Sequence, residues 1–344
     1  MNFAYLGQLP QGDPLFGYLQ HEIMPQLGVR PHDPGFRVFQ SACSKDVYLY
    51  EERRSNARVI GKFYPRHQGA PGQHPGQHPG QHPGEREYSN LRHLRALGFA
   101  ASPHYVVRPL GFNAHLSGLL VMEFLHADML GTVINDAMFL GRRDRLYRKL
   151  SALAHFLASM HNRTAGDWPV TFSDASGYMG RLIQSLTLKR GLGHEHAQEL
   201  HALREAWHSR GVMWEDRAVL VHGDATPSNF LFGRGRDVLA IDLERMHWAD
   251  RMFDVGRLCG ELKHFFCQGL GDPGAAEPFI GHFLWEYCCH FPDRENAFAA
   301  LTRRAPFYIG ITLLRIARNS WIGQDYRWRL IQEAKHNLRA LPWT

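Results

Sequence analysis

Between residues 35 and 64 short apolar runs alternate with small polar turns, a strand-like pattern. Phe36-Arg37-Val38-Phe39 leads into a turn over residues 40–45, and Val47-Tyr48-Leu49-Tyr50 follows. After another turn comes the run 58–64, which carries Lys62. Three antiparallel strands are predicted, with Lys62 in the third. The period then changes. Leu91, Leu94 and Leu97 share one face of a predicted helix over residues 85–97, stopped by Gly98. An apolar run over 119–125, after a Ser-Gly turn, reads as a buried strand.

Further along, Leu146, Leu150, Leu153, Phe156, Leu157 and Met160 repeat at helical spacing and predict a core helix over 145–161. His155 and His161 read as packing or surface residues of it. Three apolar runs come next, at 217–221, 229–232 and 238–241. The last two flank a five-residue loop with two glycines, 233–237, and predict a hairpin. Residues 309–341 read as one long amphipathic helical region holding Arg315, Arg318, Arg327 and Arg329. The order is β-rich first and helical later.

One segment fits neither pattern. Gly72 is followed by three tandem Gln-His-Pro-Gly repeats over residues 73–84. Pro and Gly at this density cannot build a core, which predicts a flexible, solvated connector. His74, His78 and His82 recur every four residues on an extended chain and define no fixed metal site.

The chemistry gathers around the predicted hairpin. His222-Gly223-Asp224 is followed by Asn229, five residues after Asp224, and by Asp242, eighteen after it. With the hairpin between them, Asn229 opens one strand and Asp242 ends the other, so both are expected to point back toward Asp224. Phosphoryl transfer needs this set: a carboxylate to take a hydroxyl proton, and an Asn and a second carboxylate to hold Mg²⁺.

Length and composition fit that reading. A chain of 344 residues suits two lobes that share a cleft. No apolar stretch of membrane-spanning length occurs, and the N-terminus lacks a secretory pattern. The five cysteines (Cys43, Cys259, Cys267, Cys288, Cys289) form no C-x-x-C, so free thiols in a reducing cytoplasm are expected. The net charge of +6 comes from scattered Lys and Arg and does not indicate nucleic acid.

His-Gly-Asp-x4-Asn followed by Ile-Asp-x-Glu resembles the catalytic segment of the aminoglycoside phosphotransferase and choline kinase group. The resemblance is sharp over residues 221–244 and looser over 36–260. It implies an α+β, bilobal, protein-kinase-like fold with a small β-rich N-lobe and a larger, mostly helical C-lobe. Residues 1–35 would be an extension, 36–125 the nucleotide-binding lobe and hinge, and 126–344 the helical lobe. It also implies a cytoplasmic kinase that uses ATP and Mg²⁺ to phosphorylate a hydroxyl of a small molecule.

Carried over residue by residue, the resemblance makes Asp224 the catalytic base and Asn229 and Asp242 the metal ligands. Lys62 would reach the α/β-phosphates and pair with Glu87, or with Glu85. No G-x-G-x-x-G occurs; the matching turn is Ser41-Ala42-Cys43-Ser44, where Ser41 or Ser44 would donate to phosphate. The backbone from Glu123 to Leu125 would form the hinge that binds adenine. Asp254 would brace the catalytic loop, and Glu244 either aids the metal or packs locally.

The acceptor is not named by these residues. From Arg245 onward, 13 Lys and Arg face 10 Asp and Glu, which favours a neutral or anionic acceptor over a polycationic aminoglycoside. An atypical protein kinase is disfavoured by Gly223 in place of Arg, by Leu243-Glu244 after Asp242 and by the lack of an Ala-Pro-Glu. A pseudokinase would have lost the lysine, the base or a metal ligand, and all are present.

Overall fold

The computed structural model describes residues 3–30, 32–42, 44–64, 81–233 and 235–341. Cys43 and most of the Gln-His-Pro-Gly connector lie outside the described residues. The chain divides into two compact units: residues 1–127 with 239–244, and residues 128–238 with 245–344.

The first unit contains β1 (Phe3–Gln8), α1 (Pro14–Tyr18), β2 (Phe36–Ser41), β3 (Val47–Glu52), β4 (Arg58–Lys62), α2 (Pro83–Ala96), β5 (Ala100–Ala101), β6 (His104–Val106), β7 (Pro109–Asn113) and β8 (Leu119–Glu123). The three expected strands are β2, β3 and β4. They belong to a six-stranded antiparallel sheet of order β1-β2-β3-β4-β8-β7. Lys62 stands opposite Val47 on one side and Leu120 on the other, so its backbone is fixed by both neighbouring strands.

Residues 15–24 join this unit's core. Leu15, Phe16, Leu19, Ile23 and Met24 pack with Phe36, Val59, Leu119 and Val121. β1 escaped the sequence pattern because it is an edge strand with a register irregularity between Tyr5 and Gly7, which leaves Tyr5 and Leu6 exposed. The last repeat is also more than connector. His82 caps α2, its Nδ1 accepting the Gly84 N–H at 3.2 Å, and Pro83 takes the first helical position, where its missing donor costs nothing.

The second unit contains β9 (Asp128–Met129), α3 (Leu130–Phe139), α4 (Arg143–Arg163), α5 (Phe172–Arg190), α6 (His194–His208), β10 (Val219–Val221) and β11 (Phe230–Phe232). After β12 (Val238–Ala240) and residues 241–244 come β13 (His247–Ala249), α7 (Met252–Leu270), α8 (Glu277–Cys288), α9 (Arg294–Ala317) and α10 (Gln324–Arg339). The predicted core helix is α4, with Leu146, Leu150, Leu153, Phe156, Leu157 and Met160 all buried.

The single helical region expected over 309–341 is instead two helices with a corner at residues 318–323. Buried Arg327 explains the corner. Its Nε donates to the carbonyl of Ala317, the last residue of α9, at 2.9 Å, and its Nη2 to that of Ile322 in the corner at 2.5 Å, which satisfies a carbonyl on each side of the turn.

α7 and α9 approach closely because α7 carries Gly256 and Gly260 one turn apart. A Cβ at Gly256 would lie 2.3 Å from the Tyr308 Cβ, and one at Gly260 would lie 2.6 Å from the Thr312 Cβ. Added volume in such a contact typically costs about 1–3 kcal/mol. Gly256→Ala and Gly260→Ala are each expected to lower unfolding free energy by about that amount in denaturant titration.

Candidate active site

The motif loop lies in the second unit. β10 pairs antiparallel with β13, Val221 opposite His247, so the chain leaves the sheet at His222 beside the segment that carries Arg245. Gly223 has φ of +80°, and a Cβ there would sit 1.9 Å from the Arg245 carbonyl oxygen. Backbone conformation and contact both demand glycine, and an arginine at this position is sterically impossible.

Asp254, near the start of α7, holds the loop. Fully buried, it accepts the N–H of His222 at 2.5 Å and that of Gly223 at 3.0 Å, and it meets His161 Nε2 at 3.2 Å. The opposite ring nitrogen of His161 meets Tyr287 Oη at 2.8 Å. Burial opposes the Asp254 charge, yet these contacts hold its carboxyl below the usual range. His161 is therefore an orienting residue rather than mere packing. Its place on the apolar face of α4, one turn after Leu157, was the available signal, since a buried imidazole needs partners.

Asp224 follows. The Asn229 Nδ2 donates to the Asp224 carbonyl at 2.8 Å, and the Thr226 N–H donates to the same oxygen at 2.8 Å, closing the loop on itself. Asn229 thus presents its amide oxygen away from that bond. The Asp224 carboxylate faces three guanidinium groups: Arg257 Nη1 at 3.0 Å, Arg245 Nη1 at 3.5 Å and Arg315 Nη1 at 3.7 Å. Burial pushes its pKa up, but Arg257, Arg315 and Arg245 pull it down further, to about 2. Neither Arg257 nor Arg315 carries a motif, and sequence reasoning did not single out either as a neighbour of Asp224.

A second cluster lies wholly in the first unit. Lys62 Nζ contacts Glu87 Oε2 at 3.0 Å, Asp242 Oδ1 at 2.6 Å and Glu244 Oε2 at 3.2 Å. Glu87, not the exposed Glu85, meets the lysine, and it also accepts from Tyr64 Oη. Burial works against the Lys62 ammonium, but Glu87, Asp242 and Glu244 hold its pKa above the usual lysine range. The Glu87 carboxyl is pushed up, first by burial and then by Asp242 and Glu244, against the pull of Lys62. Three carboxylates thus meet at the Lys62 ammonium.

Asp242 has φ of +65°, an unusual backbone for a non-glycine residue and one that Asp tolerates better than most. Carboxylate oxygens of Glu87, Asp242 and Glu244 lie within 4.8 Å of one another, and the buried Glu87 Oε1 has no hydrogen-bond partner. Three convergent carboxyl groups and an orphaned oxygen suit a divalent, oxygen-preferring cation.

The remaining expected residues are more loosely placed. Ser41 ends β2, while Ser44 Oγ accepts the Asp46 N–H at 3.3 Å within the turn. The Glu123 carboxylate accepts from Tyr105 Oη and from the Arg108 N–H, each at 2.6 Å, and its own N–H donates to the Arg108 carbonyl. Leu125 is half-buried in the extended stretch after β8.

The profile of the phosphotransferase enzyme family matches residues 36–288. The chain belongs to this family. No curated protein matches it by sequence. Solved structures of similar fold include an ethanolamine kinase of Plasmodium vivax, at 14% identity and a TM-score of 0.58, covering 93% of this chain and 86% of that one. A choline kinase of Cryptosporidium parvum is 12% identical with a TM-score of 0.59, covering 95% and 94%. The ternary complex of streptomycin, ATP and the aminoglycoside phosphotransferase APH(2")-IIa is 13% identical with a TM-score of 0.54, covering 95% and 97%. At these identities the likeness speaks to the phosphotransferase fold, α+β with an antiparallel first part and a helical second part. Among the described residues no helix is long and apolar enough to cross a membrane.

The Asp224 shift has a consequence for stability. Its folded pKa of about 2 lies below the unfolded value of about 3.9, so its contribution is complete above pH 4 and declines as pH falls toward 2. Chemical denaturation at several pH values is expected to show this acid limb in the wild type, and a shallower one between pH 4 and 2 in Asp224→Asn.

Proposed function

We propose that this phosphotransferase moves the γ-phosphoryl group of ATP, with Mg²⁺, to a hydroxyl of a small molecule, with Asp224 as the catalytic base. The observation that carries the reading is the held geometry of Asp224. Its loop is fixed by Asp254 and Asn229, and its carboxylate is ionised at any working pH. The acceptor hydroxyl would donate to it. As the new O–P bond forms and the bond between the γ-phosphorus and its bridging oxygen breaks, ADP leaves and the hydroxyl proton passes to Asp224. A loose phosphoryl-transfer transition state asks for positioning more than for basicity, so the depressed pKa is no obstacle.

The nucleotide side falls to the first unit. Lys62, oriented by Glu87, would exchange its contacts with Asp242 and Glu244 for the α/β-phosphates. Asp242 and Glu244 would then be released to bind the metal; the family resemblance makes Asn229 a ligand as well. Bound Mg²⁺ neutralises charge on the phosphates. Ser41 or Ser44 would donate to phosphate, and the backbone of Glu123 to Leu125 would bind adenine. The presence of ATP in the solved ternary complex of streptomycin and APH(2")-IIa supports ATP as donor. Cys259, Cys267, Cys288 and Cys289 are free thiols, which suits the cytoplasm. Against a protein kinase stands Gly223, where a side chain cannot fit.

Two measurements test the reading. The wild type should transfer phosphoryl from Mg-ATP to a member of a metabolite panel, with products identified by mass. Asp224→Asn should lose about 10²–10⁴-fold in turnover while keeping Mg-ATP affinity, the range of a lost general base. Equal loss of turnover and nucleotide affinity would refute the role given to Asp224. Replacing Lys62 with Met should weaken Mg-ATP binding and turnover together.

A further inference from the structure

Three guanidinium groups converge on the Asp224 carboxylate in the second unit. α7 contributes Arg257, whose Nη1 donates to the Gly223 carbonyl at 2.6 Å and to Asp224 Oδ1 at 3.0 Å. Its guanidinium lies 4.6 Å from the centre of the Phe253 ring, one turn earlier on the same helix. α9 contributes Arg315, whose Nη2 is held by Glu261 Oε1 at 2.5 Å, and Glu261 lies one turn after Arg257 on α7. Nη1 of Arg315 stops 3.7 Å from Asp224 Oδ1, outside hydrogen-bond reach, and its buried Nε has no acceptor. Arg245 is the third cation, at 3.5 Å.

The carboxylates beside them are Asp224 and Glu261. Asp254 is nearby, but its oxygens are engaged by the N–H groups of His222 and Gly223 and by His161. Arg315 and Asp224 are each 15% exposed at the side chain, so both remain in reach of a ligand. Guanidinium groups fit planar or tetrahedral oxyanions through paired donors. A cationic amine placed here would meet like charges, a penalty that discriminates against it.

We infer that the acceptor carries an anionic group, phosphate or carboxylate, and that Arg315, backed by Arg257, is its receptor beside the hydroxyl that Asp224 engages. This rests on the kinase reading and narrows it to hydroxylated anions such as sugar phosphates and hydroxy acids. The net charge of the unit is no argument by itself. The convergence of buried Arg257 and partly exposed Arg315, from different helices, on one carboxylate carries the inference.

The test uses the full-length protein in two arms. In the first, transfer from Mg-ATP is measured for matched acceptors: a hexose and its phosphate, a polyol and a hydroxy acid, an amino alcohol and an aminoglycoside. Anionic members should be preferred, and whether phosphate or carboxylate wins identifies the group. Arg315→Gln should raise KM for the preferred anion about 10- to 100-fold, well beyond its effect on the neutral analogue, as expected for loss of a charge-assisted contact. Because that variant leaves Glu261 without its partner, the double variant Arg315→Gln/Glu261→Gln is included and should show the same loss.

In the second arm, inorganic phosphate and glycolate are titrated by calorimetry without nucleotide into wild type and both variants. Anion binding that disappears in the variants, with no transfer to any acceptor, would sustain the anion site and sink the kinase reading. Preference for neutral or cationic acceptors would overturn the inference and leave the kinase standing. So would an equal KM change for charged and neutral acceptors, or a failure of either anion to bind the wild type.

Discussion

The buried carboxylate of Asp254 is the contact on which the second unit's chemistry depends. It takes the backbone N–H groups of two successive residues, His222 and Gly223, and so fixes the direction in which the chain leaves β10. A carboxylate brought into the interior costs several kcal/mol unless its oxygens are matched by donors, and here backbone amides and His161 supply them. The same bonds that stabilise the charge determine where Asp224 points. Gly223 is needed because the loop presses its α-carbon against the Arg245 carbonyl, leaving no space for a side chain.

Around that anchor, positions distant in sequence are brought to one carboxylate by helix packing. Gly256 and Gly260 let α9 lie close on α7, and on α7 the next residues, Arg257 and Glu261, again lie one turn apart. Glu261 holds Arg315 of α9, so the spacing of two glycines and two charged residues on one helix determines which cations reach Asp224. A second network lies nearby: Arg304 joins Asp250 at 2.7 Å and Asp216 at 2.5 Å, and Asp250 caps the Met252 N–H at 2.9 Å. In that network two arginines, Arg251 and Arg304, face two aspartates, so charge is balanced.

The first unit gathers carboxylates instead. Lys62 is gripped by three carboxylates, and the structure resembles a site waiting for positive charge as much as one offering it. A divalent cation would relieve the crowding of Glu87, Asp242 and Glu244 and allow Lys62 to turn to an anionic ligand. One unit carries an acid-rich cluster and the other an arginine-rich one.

Much of this was legible in the residues. Local periodicity determined β2, β3, β4, β8, α2 and α4, because each buries one face through neighbours along its own segment. Motif spacing brought out Asp224, Asn229 and Asp242, and the position of Lys62 ahead of an acidic helix pointed to Glu87. What the sequence left open depends on contacts between distant segments. The packing of residues 15–24 on the sheet, the corner that Arg327 makes between α9 and α10, the bracing by His161 and the approach of Arg257 and Arg315 to Asp224 have no local signature. An arginine on a helix reads as solvated until another helix closes over it, and burial is a property of the fold rather than of the neighbouring letters. The sequence by itself determined which chemistry is possible; only tertiary packing decided which charges surround it, because electrostatic neighbours are chosen by distance in space.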